Sequence, residues 1–117
     1  MTSAFTDVRG SMEHLRTVFN PTEAADAAAT LLFLISGAEP GQPDLQEWTI
    51  KVAGGTCTVE SGATAVPTVT LKIPREVWLA MARGEKSGRD AFMNGEYQVE
   101  GDIMFMMRFG KIFPLKA

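Results

Sequence analysis

The chain predicts an α+β fold, and three features of its pattern carry that prediction. Helical spacing comes first, two-residue alternation fills the middle, and helical segments separated by one short strand close the chain. The alternating segments are apolar on one side only, which describes a sheet with one face to cover. A strongly apolar last helix, entered through Gly101-Asp102, supplies part of the cover.

The elements follow in order. Met12, Leu15, Val18 and Phe19 recur at three- and four-residue spacings, one apolar stripe on a helix over 11–19, while Glu13 and Arg16 face away. Asn20-Pro21-Thr22-Glu23 reads as a helix start, with Asn20 as cap, Pro21 in the first turn and Glu23 closing a capping box. The alanine-rich stretch Ala24 to Ala29 is expected to propagate that helix. Leu31 to Ile35 is a continuous apolar run that suits a helix end or a buried strand, and the stop at Ser36-Gly37 favours the strand.

Pro40, Gly41 and Pro43 mark a loop, after which the period becomes two. Trp48, Ile50 and Val52 alternate with Thr49 and Lys51, Gly54-Gly55 turns the chain, and Cys57 and Val59 alternate with threonines and Glu60, a hairpin. Val69, Leu71 and Ile73 alternate with Thr68, Thr70 and Lys72 in a third antiparallel strand with one apolar and one wet face. Pro74 opens a helix that groups Val77, Trp78 and Met81 and stops at Gly84, and Ser87 caps a short helix containing Ala91, Phe92 and Met93. Tyr97 to Glu100 forms a last strand, and Asp102 caps the final helix.

At 117 residues the chain is expected to be one domain spanning 1–117. Its net charge of −3, with scattered cations, offers no basic stripe for nucleic acid or for strong binding to anionic lipid surfaces. No run approaches the roughly 20 apolar residues of a membrane span, so stable membrane insertion is not expected. Met1 to Gly10 lacks the apolar core of a signal peptide, and Pro114 to Ala117 is not a peroxisomal ending. Cys57, the only cysteine, has no intrachain partner for a disulfide, and a reducing cytoplasm is the expected location.

Chemistry is sparse. His14, the only histidine, lies on a charged helix without a nucleophile in its pattern, and one histidine does not make a metal site. Cys57 holds an alternating strand position where a cysteine acts as a small hydrophobe. Glu96 and Glu100 belong to a polar strand face and Asp102 is engaged in capping, so no acid–base pair is expected. Gly54-Gly55 lacks the lysine and hydroxyl residue of a phosphate loop. The expectation is a protein with no catalytic residues, no metal and no cofactor.

The final helix is the opposite case. From Asp102 to Phe109 apolar groups cover more than half of the helix circumference, leaving little surface to face water. Met93, Met104, Met106 and Met107 fall close together, and methionine repacks readily around varied shapes. Such a surface is either ordinary core or the wall of a cavity or groove, and the pattern alone leaves both open.

The ordered landmarks are Ile35-Ser36-Gly37, Trp48-Thr49-Ile50-Lys51-Val52, Pro67-Thr68-Val69-Thr70-Leu71, Gly84, Ala91-Phe92-Met93-Asn94-Gly95, and Val99-Glu100-Gly101-Asp102 before the apolar helix. In this order and spacing the chain resembles the sterol carrier protein type-two domain, a small lipid-binding family. The coverage runs from about 22 to 113, with residues 1–20 as an N-terminal helical extension.

The resemblance implies about five mainly antiparallel strands, covered on one face by about five helices and enclosing a hydrophobic tunnel. It implies non-catalytic binding or transfer of a hydrophobic ligand, a fatty acyl, isoprenoid or sterol-like lipid. The expected ligand contacts are Trp78 and Met81, Phe92, and Ile103, Met106, Met107 and Phe109, with Ile50 and Leu71 as the floor. The separate capped segment at Asn20 and the short C-terminal tail depart from eukaryotic carriers and set acyl or polyprenyl groups ahead of sterol. The alternative is an interaction or dimerisation module, a homodimer or an accessory to an enzyme of lipid or quinone metabolism. Transient membrane contact is expected of a lipid carrier.

Overall fold

Asp7 starts the first helix by accepting a 2.9 Å hydrogen bond from the Gly10 N–H, and the computed structural model describes residues 7–115 from this cap onward. Residues 1–6 and 116–117, parts of the two terminal stretches read above, lie outside the described residues. Helix α1 (Val8–Val18) buries Val8, Ser11, Met12 and Leu15 along the anticipated stripe.

Helix α2 is shorter than its composition suggests. It spans only Pro21–Ala24, because Ala25 adopts φ 50° and turns the chain, and β1 (Ala29–Ser36) begins at the last of the alanines. Alanine's helix preference is a weak prior, and pairing of Ala29 with Val52 overrides it. Asn20 caps as expected, its side-chain oxygen accepting from the N–H groups of Thr22 and Glu23. The capping box is not closed: the Asn20 N–H donates instead to the Ile112 carbonyl at 2.8 Å.

Strands β2 (Leu45–Ala53) and β3 (Thr56–Ser61) form the hairpin around Gly54-Gly55. Strand β4 (Val69–Pro74) leads into α3 (Arg75–Ala82), α4 (Gly88–Met93), β5 (Gln98–Gly101) and α5 (Ile103–Ile112). The sheet order is β3-β2-β1-β4-β5. This is the expected α+β arrangement, five strands with five helices among the described residues.

The direction of β4 corrects the expectation of an antiparallel strand at that position. It pairs parallel to β1, with Leu31 opposite Val69 and Ile35 opposite Ile73, and only its other edge pairs antiparallel, to β5. Alternation fixes which face a side chain takes but carries no information on strand direction. To return β4 alongside β1, the segment after β3 must recross the sheet. There Thr49 donates to the Gly62 carbonyl and accepts from the Thr64 N–H, so this threonine is fully buried on the face expected to be wet.

The other face holds the core. Leu31, Phe33 and Ile35, Trp48, Ile50 and Val52, and Val69, Leu71 and Ile73 are all buried there. The β5–α5 junction is fixed by a close approach: Gly101 has φ +100°, and a Cβ on it would lie 2.3 Å from the Thr68 carbonyl oxygen. That carbonyl also accepts from the Asp102 N–H at 2.9 Å, and Asp102 caps α5 by accepting from the Phe105 N–H.

Candidate functional site

The candidate site is the apolar layer between the inner sheet face and helices α1, α3 and α5. Phe33 lies near its middle, with the Trp78 ring 5.0 Å away edge-on and the Phe109 ring at 6.4 Å. The series continues through Phe113, 5.0 Å from Phe109, to Phe19 at 5.5 Å. These separations are those of attractive tilted and edge-to-face ring pairs.

Trp78 has one polar atom, and it is satisfied. Its indole N–H donates to the Ser11 hydroxyl at 2.7 Å, and that hydroxyl donates to the Val8 carbonyl at 2.6 Å. No buried side-chain nitrogen or oxygen among the described residues lacks a partner, so the layer presents hydrocarbon and aromatic surface without an unpaired polar group. Surface of that kind recognises shape and hydrophobicity.

Of the residues expected to contact a ligand, Ile50, Leu71, Trp78, Met81 and Phe109 join this one buried cluster, and Met106 packs half-buried against it. The others lie outside it: Phe92 is 43% exposed with its ring against Tyr97, and Ile103 and Met107 are 44% and 75% exposed. Helix α5 thus corrects the expectation that it has little surface to face water. It buries Phe105, Phe109 and Ile112, and it turns Ile103, Met104 and Met107 outward.

Phe33, Phe113, Met12 and Leu15 complete the layer; the helical spacing marked Met12 and Leu15, whereas Phe33 and Phe113 were not singled out by the pattern. Phe33 belongs to a run that is apolar at every position, so no alternation marks it as inward.

One edge of the layer is closed by a polar cluster with no sequence signal at all. Glu39, in the loop after β1, accepts from the Val8 N–H at 3.1 Å, from Gln46 at 2.8 Å and from the Arg75 guanidinium at 2.7 Å. Gln46 in turn accepts from the Trp48 indole at 3.2 Å, and the Arg9 guanidinium lies 5.1 Å from the Trp48 ring centre. Burial alone would raise the Glu39 pKa, but the hydrogen bonds from Arg75, Gln46 and Val8, with the Arg75 charge, outweigh it and lower the pKa. The cluster ties the start of α1 to β2 and α3.

The chemical groups weighed in the sequence are dispersed. Burial pushes the Cys57 thiol up to about 11, with Arg16 opposing, so the thiol is protonated at neutral pH and a poor nucleophile. His14 interacts with Thr17 on the exposed side of α1. Glu96 pairs with Lys86 at 2.6 Å and Glu100 with Lys72 at 3.0 Å, while Asp102 caps α5. Among the described residues no group of three metal-ligating side chains converges. No helix among them is long and apolar enough to cross a membrane. An open groove of about 450 Å³ at the ends of β1 and β4 is lined by Leu34, Leu45, Pro74 and Tyr97, and its charged members, Lys72 and Glu96, are already paired.

Residues 12–114 match the model of the SCP-2 sterol transfer family. No curated protein matches the chain. Among solved structures, palmitated SCP2L2 from Aedes aegypti superposes with a TM-score of 0.78 at 17% identity, over 96% of this chain and 98% of that one. Sterol carrier protein 2 from Yarrowia lipolytica superposes with a TM-score of 0.66 at 14% identity, over 97% of this chain and 98% of that one. The same fold is found inside a larger enzyme, the sec-alkylsulfatase Pisa1 from Pseudomonas sp., with a TM-score of 0.68 at 17% identity, over 88% of this chain and 15% of the enzyme.

Proposed function

We propose that this chain, which belongs to the SCP-2 sterol transfer family, binds and carries a hydrophobic lipid in the apolar layer beneath α3 and α5 and performs no catalysis itself. The observation that carries this reading is the layer itself: aromatic and aliphatic side chains run from Trp78 through Phe33 and Phe109 to Phe113, and among the described residues every buried polar side-chain atom is paired. A long acyl chain is the cargo that suits such a surface best, and a structural neighbour is palmitated. The dispersed positions of Cys57, His14 and the carboxylates support a carrier over an enzyme.

Ile50 and Leu71 would form the floor and Trp78, Met81 and Phe109 the roof, with Met106 at the half-buried margin where the layer can adapt. Phe92, Ile103 and Met107 would meet a ligand only as it enters or leaves, because they are exposed. A lipid of roughly 25 heavy atoms binds with about 7 to 8 kcal/mol at about 0.3 kcal/mol per atom, in the micromolar range. That strength permits both loading and release.

The test is organic extraction of the purified protein followed by mass spectrometry. Lipid recovered in near-stoichiometric amount upholds the reading. Protein that yields none, and takes up none when offered fatty acid, refutes it.

A further inference from the structure

Helix α4 is held to the rest of the molecule more sparely than the helices around it. Its start is internal, because the Ser87 hydroxyl accepts from the Asp90 N–H at 3.2 Å and the Ser87 carbonyl from the Ala91 N–H at 3.0 Å. Its stop is internal too: the N–H groups of Asn94, Gly95 and Glu96 donate to the carbonyls of Asp90, Phe92 and Ala91. The Lys86–Glu96 ion pair, at 2.6 Å, ties the two ends of the segment to each other. Among the described residues one hydrogen bond joins segment 86–96 to its surroundings, from the Tyr97 hydroxyl to the Gly88 carbonyl at 2.9 Å.

Apolar burial is equally thin. Helix α4 buries Ala91 alone, whereas α1, α3 and α5 each bury three or four side chains. It is seated on two core residues: a Cβ on Gly88 would lie 3.1 Å from the Met81 methyl carbon, and the Phe92 ring is 5.6 Å from the Tyr97 ring. Met81 and Tyr97 are only 5% and 8% exposed beneath it. Elements with few buried contacts and self-contained hydrogen bonds open first.

We propose that segment 86–96 is a lid, latched by Tyr97, which swings as one body to uncover Met81 and Tyr97 and opens the apolar layer between the end of α3 and the start of β5. Element ends serve as hinges. Gly84 and Gly95, at φ +77° and +73°, each stop the helix before them and set the two ends of the moving body. The other walls are anchored more firmly. Glu39 holds the start of α1 and Ser11 joins it to Trp78, while α5 is tied at Asp102 to Thr68, at Arg108 to Glu23 and at Ile112 to Asn20. Passage through α4 therefore breaks the fewest contacts. The use of this opening for lipid entry rests on the carrier reading, in which Met81 is part of the roof; the opening itself does not.

The experiment pairs amide hydrogen exchange with stopped-flow uptake of a fluorescent fatty acid, on the parent, Y97F and K86Q. In the parent, the bonded amides of Ala91, Asn94 and Glu96 should exchange about tenfold or more faster than those of α3 and β4. Y97F keeps the ring against Phe92 and removes the latch, so these amides should exchange about fivefold faster again, with α3 and β4 as in the parent. Fatty-acid association and dissociation should both accelerate about fivefold in Y97F and leave the dissociation constant within about twofold, which marks a gate. K86Q, whose side chain is partly exposed, should shift exchange and both rates in the same direction. Amides of α4 that exchange only together with those of α3, or Y97F rates equal to the parent's, would overturn the proposal. So would faster dissociation alone, since Tyr97 would then be a ligand contact. A parent whose α4 amides open first but which takes up no fatty acid upholds the lid and refutes the carrier reading alone.

Discussion

Gly101 is the residue on which the join between sheet and last helix depends. A Cβ there would collide with the Thr68 backbone, which cannot swing aside as a side chain would, and φ +100° disfavours any L-residue. G101A is expected to cost about 3 kcal/mol or more, read as a lowered midpoint in urea unfolding. Glu39 makes a second residue-scale prediction. Its pKa is lowered in the fold, so its contribution is fully present above the ordinary carboxylate pKa and is lost as pH falls through the lowered folded value. E39Q should cost about 2 kcal/mol at neutral pH and flatten the decline in stability below about pH 5, checked by urea titrations from pH 3 to 7. Gly101 was legible in the sequence as punctuation before a capped helix. Glu39 was not, because its three partners come from an early helix, a strand and a later helix, and only the tertiary fold assembles them.

Among the elements, α5 separates what periodicity can decide from what it cannot. The cap at Asp102 and the apolar character of the helix were readable, yet a helix apolar on most of its circumference gives no sign of which side is buried. Packing decided that Phe105, Phe109 and Ile112 face the core, leaving Met106 at its edge. M106W tests the wall of the proposed site: fatty-acid affinity should fall about tenfold while unfolding stability drops by less than about 1 kcal/mol. A stability loss of about 1 to 3 kcal/mol with unchanged affinity would mark Met106 as ordinary core. The β strands show the same division. The inward residues of β2 and β4 followed from alternation, but the parallel pairing of β1 with β4 did not, because it depends on the crossing after β3 that Thr49 secures from the outer face. The shortened α2 has the same origin, strand pairing at Ala29 prevailing over a local alanine preference.

At the scale of the whole molecule, the sheet, its three core helices and the Glu39 cluster enclose one continuous apolar layer, and the family match over residues 12–114 gives that layer its context. The fold class was open to sequence reasoning because both periods and the order of elements survive in the chain. The layer's aromatic series was only half visible, since Trp78 and Phe109 stand out on helices while Phe33 is hidden in a uniformly apolar strand. The central claim is that this layer takes up a lipid. The most direct measurement is titration of delipidated protein with a fluorescent fatty acid, followed by displacement with palmitate. The account predicts saturable binding near one per chain with a micromolar dissociation constant and full displacement. Fluorescence that rises without saturation, or that palmitate does not reverse, would contradict it.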